Sequence, residues 1–278
     1  MKNQFIHDFE TSFSLWFDHT LLKRGEAFSN QTGILTQYID NAIPTSHKVY
    51  GSQFKEWVID ASIPNAIVPY GVSGNGTFVA GTGNNDNIID YKNGRFISTG
   101  NYSTVSGAFS VKEFNVYYTN EDELALIVTN KYKTNAEYLN SGSYVAPYDF
   151  TVPCVFLTTE NFFNEPAFIG GEDETKIQAK AVVFAENNYQ MNGLLNVFSD
   201  QVQTAFANIS INEDIYNSLG GISSIYNYDN LVSGREPFYY IERVNPSKMK
   251  DEARRAIEQR FLIGFLEFDI KTYRFPRA

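Results

Sequence analysis

The chain has 278 residues, 43% of them hydrophobic and 15% aromatic, with 32 acidic against 22 basic side chains and a formal net charge of −10. That much apolar material supports a packed core and excludes a disordered tail, while the length admits one large domain or two smaller ones. The acidic balance argues against sequence-specific DNA binding, which draws on Lys and Arg to displace counterions, and no apolar run approaches the roughly 20 residues of a bilayer span.

The start, Met1 to Asp8, lacks the basic region and small-residue cleavage site of a signal peptide. From there Phe5, Phe9, Phe13 and Phe17 recur every fourth residue beside Ile6 and Trp16, which predicts an amphipathic helix from about Asn3 to Lys23 with Gly25 as its stop. Ile34, Leu35, Tyr38 and Ile39 predict a second helix, Ser29 to Ala42, closed by Pro44. Between Val49 and Tyr144 the pattern turns to short β-prone runs: Glu56–Asp60, Ala66–Tyr70, Thr77–Ala80, Ile88–Tyr91, Arg95–Ser98 and Val111–Tyr118. Asn93-Gly94 between two of these runs predicts a tight hairpin, because both residues tolerate positive φ. Gly71 to Asn87 reads as an exposed β-excursion or loop, and Glu121 to Lys131 fits strand and helix alike.

Pro147 to Pro153 marks a change of character. Strands are predicted at Val155–Thr159 and Lys176–Glu186, then a helix from Met191 to Ala207. Phe238–Val244 and Phe261–Tyr273 add strands, with a basic helix, Ser247–Gln259, between them. Phe261 to Leu266 is apolar on both faces, so that last strand belongs in the middle of its sheet. The fold class is α+β: residues 1–46 and 146–278 form an α/β core of N-terminal helices and a C-terminal mixed sheet, with 47–145 as a β-rich module between them.

Signatures of catalysis are missing. Gly71-Val72-Ser73-Gly74-Asn75-Gly76 imitates a phosphate loop, but it lacks the Lys and the following helix, and reads as a turn. His7, His19 and His47 are scattered and there is no Cys pair, so neither a metal nor another cofactor is expected. Cys154, the single cysteine, fits a reducing compartment and sits in an apolar run as a small buried hydrophobe. Glu172, Asp173 and Glu174 after Gly170-Gly171 suit a solvated hairpin tip better than a calcium turn. Asn75, Asn101 and Asn208 match the glycosylation pattern by chance in an Asn-rich chain, and paired glycosidase carboxylates cannot be singled out among the acids.

The 23 Phe and 18 Tyr, with only 19% charged residues, suit extensive protein contacts, although AT-rich coding produces the same excess. The one charge cluster is Arg243, Lys248, Lys250, Arg254, Arg255 and Arg260. It reads either as a solvated helix face or as candidate subunit-interface cations meeting an acidic surface on a neighbour, as heterologous ring contacts require.

Val152 to Leu157, Glu165 to Gly171, Lys176 to Ala185 and the predicted Met191–Ala207 helix together resemble structural proteins of the neck and tail-completion region of tailed bacteriophages. Asn87 to Ile97 is similar to hairpins in phage virion proteins. The resemblance implies a non-enzymatic tail-terminator or neck subunit in the virion, assembled in the host cytoplasm. It further implies a homo-oligomeric ring of about six copies, joining the head connector to the tail tube and sheath. An acidic lumen would let DNA pass without sticking. Two other classes stay open: a baseplate or fibre adhesin binding a receptor or carbohydrate, and a cell-wall hydrolase with two unidentified carboxylates.

Overall fold

A computed structural model describes residues 4–81, 86–128, 132–134, 150–168, 171–210, 215, 226–256 and 260–275. The tail of the Glu121–Lys131 element, the Pro147 boundary, Gly170 and the end of the expected basic helix lie outside the described residues.

The first helix, α1 (Phe5–Gly25), buries Phe9, Phe13 and Phe17 completely, as four-residue spacing on one face requires. It opens with the Gln4 backbone N–H donating to His7 Nδ1 at 3.1 Å and closes on Lys23 and Arg24, whose charge suits the C-terminal dipole, before Glu26 turns left-handed at φ 48°. The expected second helix is absent: Phe28–Tyr38 is a strand, β1. Of its supposed helical stripe only Leu35 is buried, while Ile34 is 77% exposed. Eight residues of β1 pair with a distant partner, Phe28 opposite Lys112 through Leu35 opposite Val105, and this pairing overrides the local periodicity.

Seven antiparallel strands form the first sheet. They are β1, β2 (Lys48–Gly51), β3 (Gly71–Gly74), β4 (Thr77–Ala80), β5 (Asn87–Asp90), β6 (Arg95–Ser98) and β7 (Val105–Lys112), in the order β4-β3-β7-β1-β2-β6-β5. The hairpin over 87–98 is present, but Asp90 pairs with Arg95, so its connection is Tyr91 to Gly94 rather than Asn93-Gly94 alone. Gly94 has φ 61°, and a Cβ there would sit 1.8 Å from the Phe54 carbonyl oxygen. The two-residue Asn-Gly turn occurs instead at Asn75-Gly76, both with positive φ, between paired Gly74 and Thr77. The glycine-rich run is thus a hairpin, as a turn reading requires.

Glu56–Asp60 and Ala66–Tyr70 are not strands; Trp57 makes one isolated bridge to Val111, and Trp57, Val58 and Ile59 go straight into the core. The expected strand Val111–Tyr118 is cut at Glu113-Phe114. Its first part ends β7, and its second, β8 (Asn115–Tyr118), belongs to the other sheet. β1 therefore sits with strands from the 47–145 stretch, and β8 with those of the C-terminal half.

After α2 (Glu123–Val128) comes a short parallel pair, β9 (Tyr132–Thr134) with β10 (Phe150–Val152). The second sheet is built from β11 (Cys154–Pro166), β12 (Asp173–Ala185), β13 (Ala205–Ala207), β14 (Pro237–Lys248) and β15 (Leu262–Arg274) with β8, in the order β13-β14-β15-β12-β11-β8. β15 lies between β14 and β12, the interior position its apolar run predicts. The Met191–Ala207 helix is shorter than expected. It is α3 (Asn188–Ser199), capped by Asn187 accepting from Gln190 N–H at 3.0 Å, and Ala205–Ala207 is β13 instead. Two short helices, α4 (Tyr228–Val232) and α5 (Asp251–Ala256), complete the described elements.

The core is aromatic. Phe13 meets Phe268 edge-on at 5.3 Å, Trp16 stacks on Phe206 at 5.0 Å and Phe17 stacks on Phe198 at 3.9 Å, so α1 and α3 close one face of the second sheet. The same cluster continues into Trp57 stacked on Phe109 of the first sheet. The fold is α+β, and α1 stands at the junction of the two sheets.

Candidate functional sites: a polar cleft and two open sheet edges

Asp18 and His19 are neighbours on α1 and engage different partners. His19 Nδ1 lies 2.7 Å from Asp60 Oδ2, its ring stacks on Tyr228 at 4.3 Å, and its Nε2 is 3.5 Å from Asp229. Asp60 also accepts from Ser62 N–H (2.9 Å), Ser62 hydroxyl (2.7 Å) and Tyr228 N–H (3.0 Å). Burial alone would raise the Asp60 pKa, but these hydrogen bonds hold it below the usual carboxylate range. With its acceptors occupied, this cluster ties α1 to the 60–62 turn and α4.

Asp18 faces a cleft of about 410 Å³ between α1, the 56–59 segment and β8. Lys112 Nζ donates to both Asp18 oxygens at 2.8 and 2.9 Å. Burial works against the lysine's charge, yet Asp18 and Glu56 raise its pKa overall. Glu56 is held at φ 52°, its N–H donating to the Lys92 carbonyl and its own carbonyl accepting from Lys112 N–H. It is 5% exposed, and its carboxyl makes no hydrogen bond or ion pair among the described residues. Burial pushes that carboxyl up to about 7 against the pull of Lys112, Lys92 and Lys55. Tyr117 lines the same wall, and its buried hydroxyl lies against Thr151, whose carbonyl and hydroxyl oxygens also accept from the Asn115 amide.

Sequence reasoning singled out none of Asp18, Glu56, Lys112 or Tyr117. The available signal was charge inside apolar runs, Lys55-Glu56 before Trp57-Val58-Ile59 and Lys112 after Val111. Cys154 is fully buried and its thiol pKa is pushed up by that burial, so it is inert as expected. Asp173 is buried in β12, so the 172–174 acids are not a wholly solvated tip. Among the described residues no group of three or more His, Cys, Asp or Glu side chains is placed to hold a metal. No described helix is long and apolar enough to cross a membrane.

The six basic residues do not form one free patch. Arg243 pairs with Asp269 at 2.7 Å on the sheet, Lys248 donates to Asn192 of α3, Arg254 reaches Asp251 at 3.2 Å and Arg260 donates to the Tyr132 carbonyl at 2.9 Å. Lys250 and Arg255 are exposed and without a partner among the described residues.

Those two follow an open edge. β13 pairs with β14 at Pro237–Tyr240, and among the described residues Glu242–Lys248 is paired on one side alone. On the other edge β8 pairs with β11 over Cys154–Leu157, and among the described residues Thr158–Pro166 is paired with β12 alone. Adjacent Phe162 and Phe163 are 49% and 44% exposed there, in company with Glu160 and Glu165. The registers place these stretches at diagonal corners of the sheet; at the β11 corner Lys176 pairs with Glu165 at 2.7 Å and Lys180 lies 3.7 Å from Glu160, while exposed Lys250 and Arg255 follow the other corner. The chain matches no protein-family model and no curated protein.

Proposed function

We propose that this protein is a non-enzymatic structural subunit of a tailed-phage virion, of the neck or tail-terminator kind, acting as a closed homo-oligomer of about six copies. The observation that carries the reading is the pair of diagonal open edges. An exposed strand edge is a template for pairing with another chain, and soluble proteins ordinarily blunt or cover it. Here the β11 edge offers Phe162 and Phe163 with Glu160 and Glu165, while the β14 edge leads to unpaired Lys250 and Arg255. Two different patches, an aromatic edge and one leading to free cations, suit a head-to-tail contact that closes into a ring. The net charge of −10 suits a lumen that DNA passes without adhering. Class averages of negatively stained protein should show rings of one size; a uniform field of monomers at high concentration contradicts the reading.

A second reading, a baseplate or fibre-type receptor-binding protein, is favoured by the first sheet, where Ile34, Tyr70 and Phe78 are exposed around one shallow depression. Capture of host cells by the isolated protein, without ring formation, would select it.

A further inference from the structure

A second cavity, of about 380 Å³, opens between the C-terminal half of α1, the 201–207 segment and α4, and ring closure gives it no role. Ala205, Phe206 and Ala207 all line it. Successive strand residues point to opposite faces, so a cavity touched by all three runs along the edge of β13 and not over one face. β13 is the outermost strand of its sheet, and among the described residues it pairs with β14 alone. This edge is short, because the Asn208 carbonyl accepts from Arg235 at 2.9 Å and the Ile209 N–H donates to the Ser12 hydroxyl at 2.7 Å. We propose that the cavity receives the carboxy-terminal end of a peptide chain, which adds backbone hydrogen bonds along β13.

The polar groups of the wall select that guest. Gln201 is 2% exposed, and its Nε2 donates to the Val197 carbonyl at 3.1 Å, which leaves Oε1 as an acceptor without a partner among the described residues. Thr20 is 5% exposed, and its hydroxyl has no partner among the described residues either. Both side chains line the cavity, and neither oxygen is sealed from the surface. Gln201 Oε1 can only accept, so the guest must donate, as an amide N–H does. Charge sets the other end of the guest. Lys23 donates to both oxygens of Asp229 at 2.9 and 2.7 Å; His19 lies 2.7 Å from Asp60, with its Nε2 3.5 Å from Asp229. Arg235 donates to the Leu231 and Asn208 carbonyls. Arg24, exposed in the last turn of α1, lines the cavity and has no partner among the described residues. A cation left over in this way matches a monoanionic carboxylate, which an arginine can hold with two parallel bonds. Tyr228, Val232 and Pro237 give the last side chain of the guest an apolar wall.

The test uses the full chain and acetyl-Gly-Ala-X peptides, with X as Leu, Phe or Val, each as free acid and as carboxyl-terminal amide, and N-acetyl-leucine as the arm without a strand. Calorimetry should show saturable binding of at least one free acid, weakened about tenfold or more by amidation, by Arg24→Ala and by Thr20→Val. Hydrogen exchange of the β13 amides should slow on binding. Arg24 is exposed and Thr20→Val keeps the side-chain shape while removing a hydroxyl without a partner, so both variants should fold. No saturable binding of any free acid, equal binding of the amides, or unchanged affinity in either variant would each overturn the proposal. N-acetyl-leucine binding as tightly as the peptides would also overturn it, by showing a site for a free acid with no strand added.

Discussion

The two sheets are held together by different physics. In the second sheet the strands are long, β11, β12 and β15 each spanning 13 residues, and their inner face is closed by apolar rings from α1 and α3. Its ion pairs, such as Arg243 with Asp269 and Lys271 with Glu242, ride on the outer face. Most strands of the first sheet are four residues long and bury too little to hold position by packing alone. Directional bonds do part of the work instead. Arg95 is buried between Asp90 (2.6 Å) and Asp40 (2.5 Å) and also reaches the Tyr38 hydroxyl, pinning the β5–β6 hairpin to the end of β1. Tyr50 and Tyr102 exchange hydrogen bonds, and Asn75 Oδ1 accepts from Ser103 and Thr104. Short strands need specified polar contacts, whereas long ones tolerate generic apolar packing.

Substitutions can break this contrast. The largest effect is expected for Phe13→Ala, which empties the ring cluster under β15 and should cost about 3–5 kcal/mol, read from the denaturant midpoint of the whole chain. Next, Arg95→Met strands Asp90 and Asp40 in a buried site and should cost about 3 kcal/mol or more. Hydrogen exchange should show that loss concentrated in β1, β5 and β6. If exchange instead rises uniformly over both sheets, the division drawn here is wrong.

Glu56 tests the junction. Its folded pKa is raised from 4.5 to about 7, so between those values the unfolded chain has released a proton that the folded chain retains. Stability should therefore fall as pH rises through that window, by up to about 3 kcal/mol. Glu56→Gln should flatten the slope and melt higher than the parent at pH 8; an unchanged slope would mean the carboxyl is solvated. Asp40 and Asp60 have lowered pKa values and lose their contribution only in more acidic solution, so they do not mask this window. The smallest effect is expected for Arg243→Ala, whose side chain is 66% exposed: under about 1 kcal/mol, and less in high salt.

What could be read from the sequence followed this same division. The Phe5–Phe17 stripe announces α1, and the apolar run from Phe261 announces an interior strand, because each element is set by its own periodicity. The helix expected at β1 fails because the segment's conformation comes from β7, seventy or more residues away. Val111–Tyr118 looked continuous because sequence pattern does not record a chain leaving one sheet for another at Glu113-Phe114. The cleft was not legible at all. Asp18, Glu56, Lys112 and Tyr117 come from four separate segments, and an unpartnered carboxyl is defined by its surroundings. The basic run was visible as composition, but the ladder of β14 with β15 and the reach of Arg260 to Tyr132 decide which of its members stay free.

The account rests on docking of one copy's β11 edge against the basic corner of the next. Native mass spectrometry of the parent chain and of a Phe162→Ser, Phe163→Ser double variant tests this most directly. A closed oligomer of about six copies for the parent and monomers for the variant are expected, since both phenylalanines are exposed in the subunit and their loss should leave its fold intact. A monomeric parent, or an oligomer that the double substitution leaves unchanged, would contradict it.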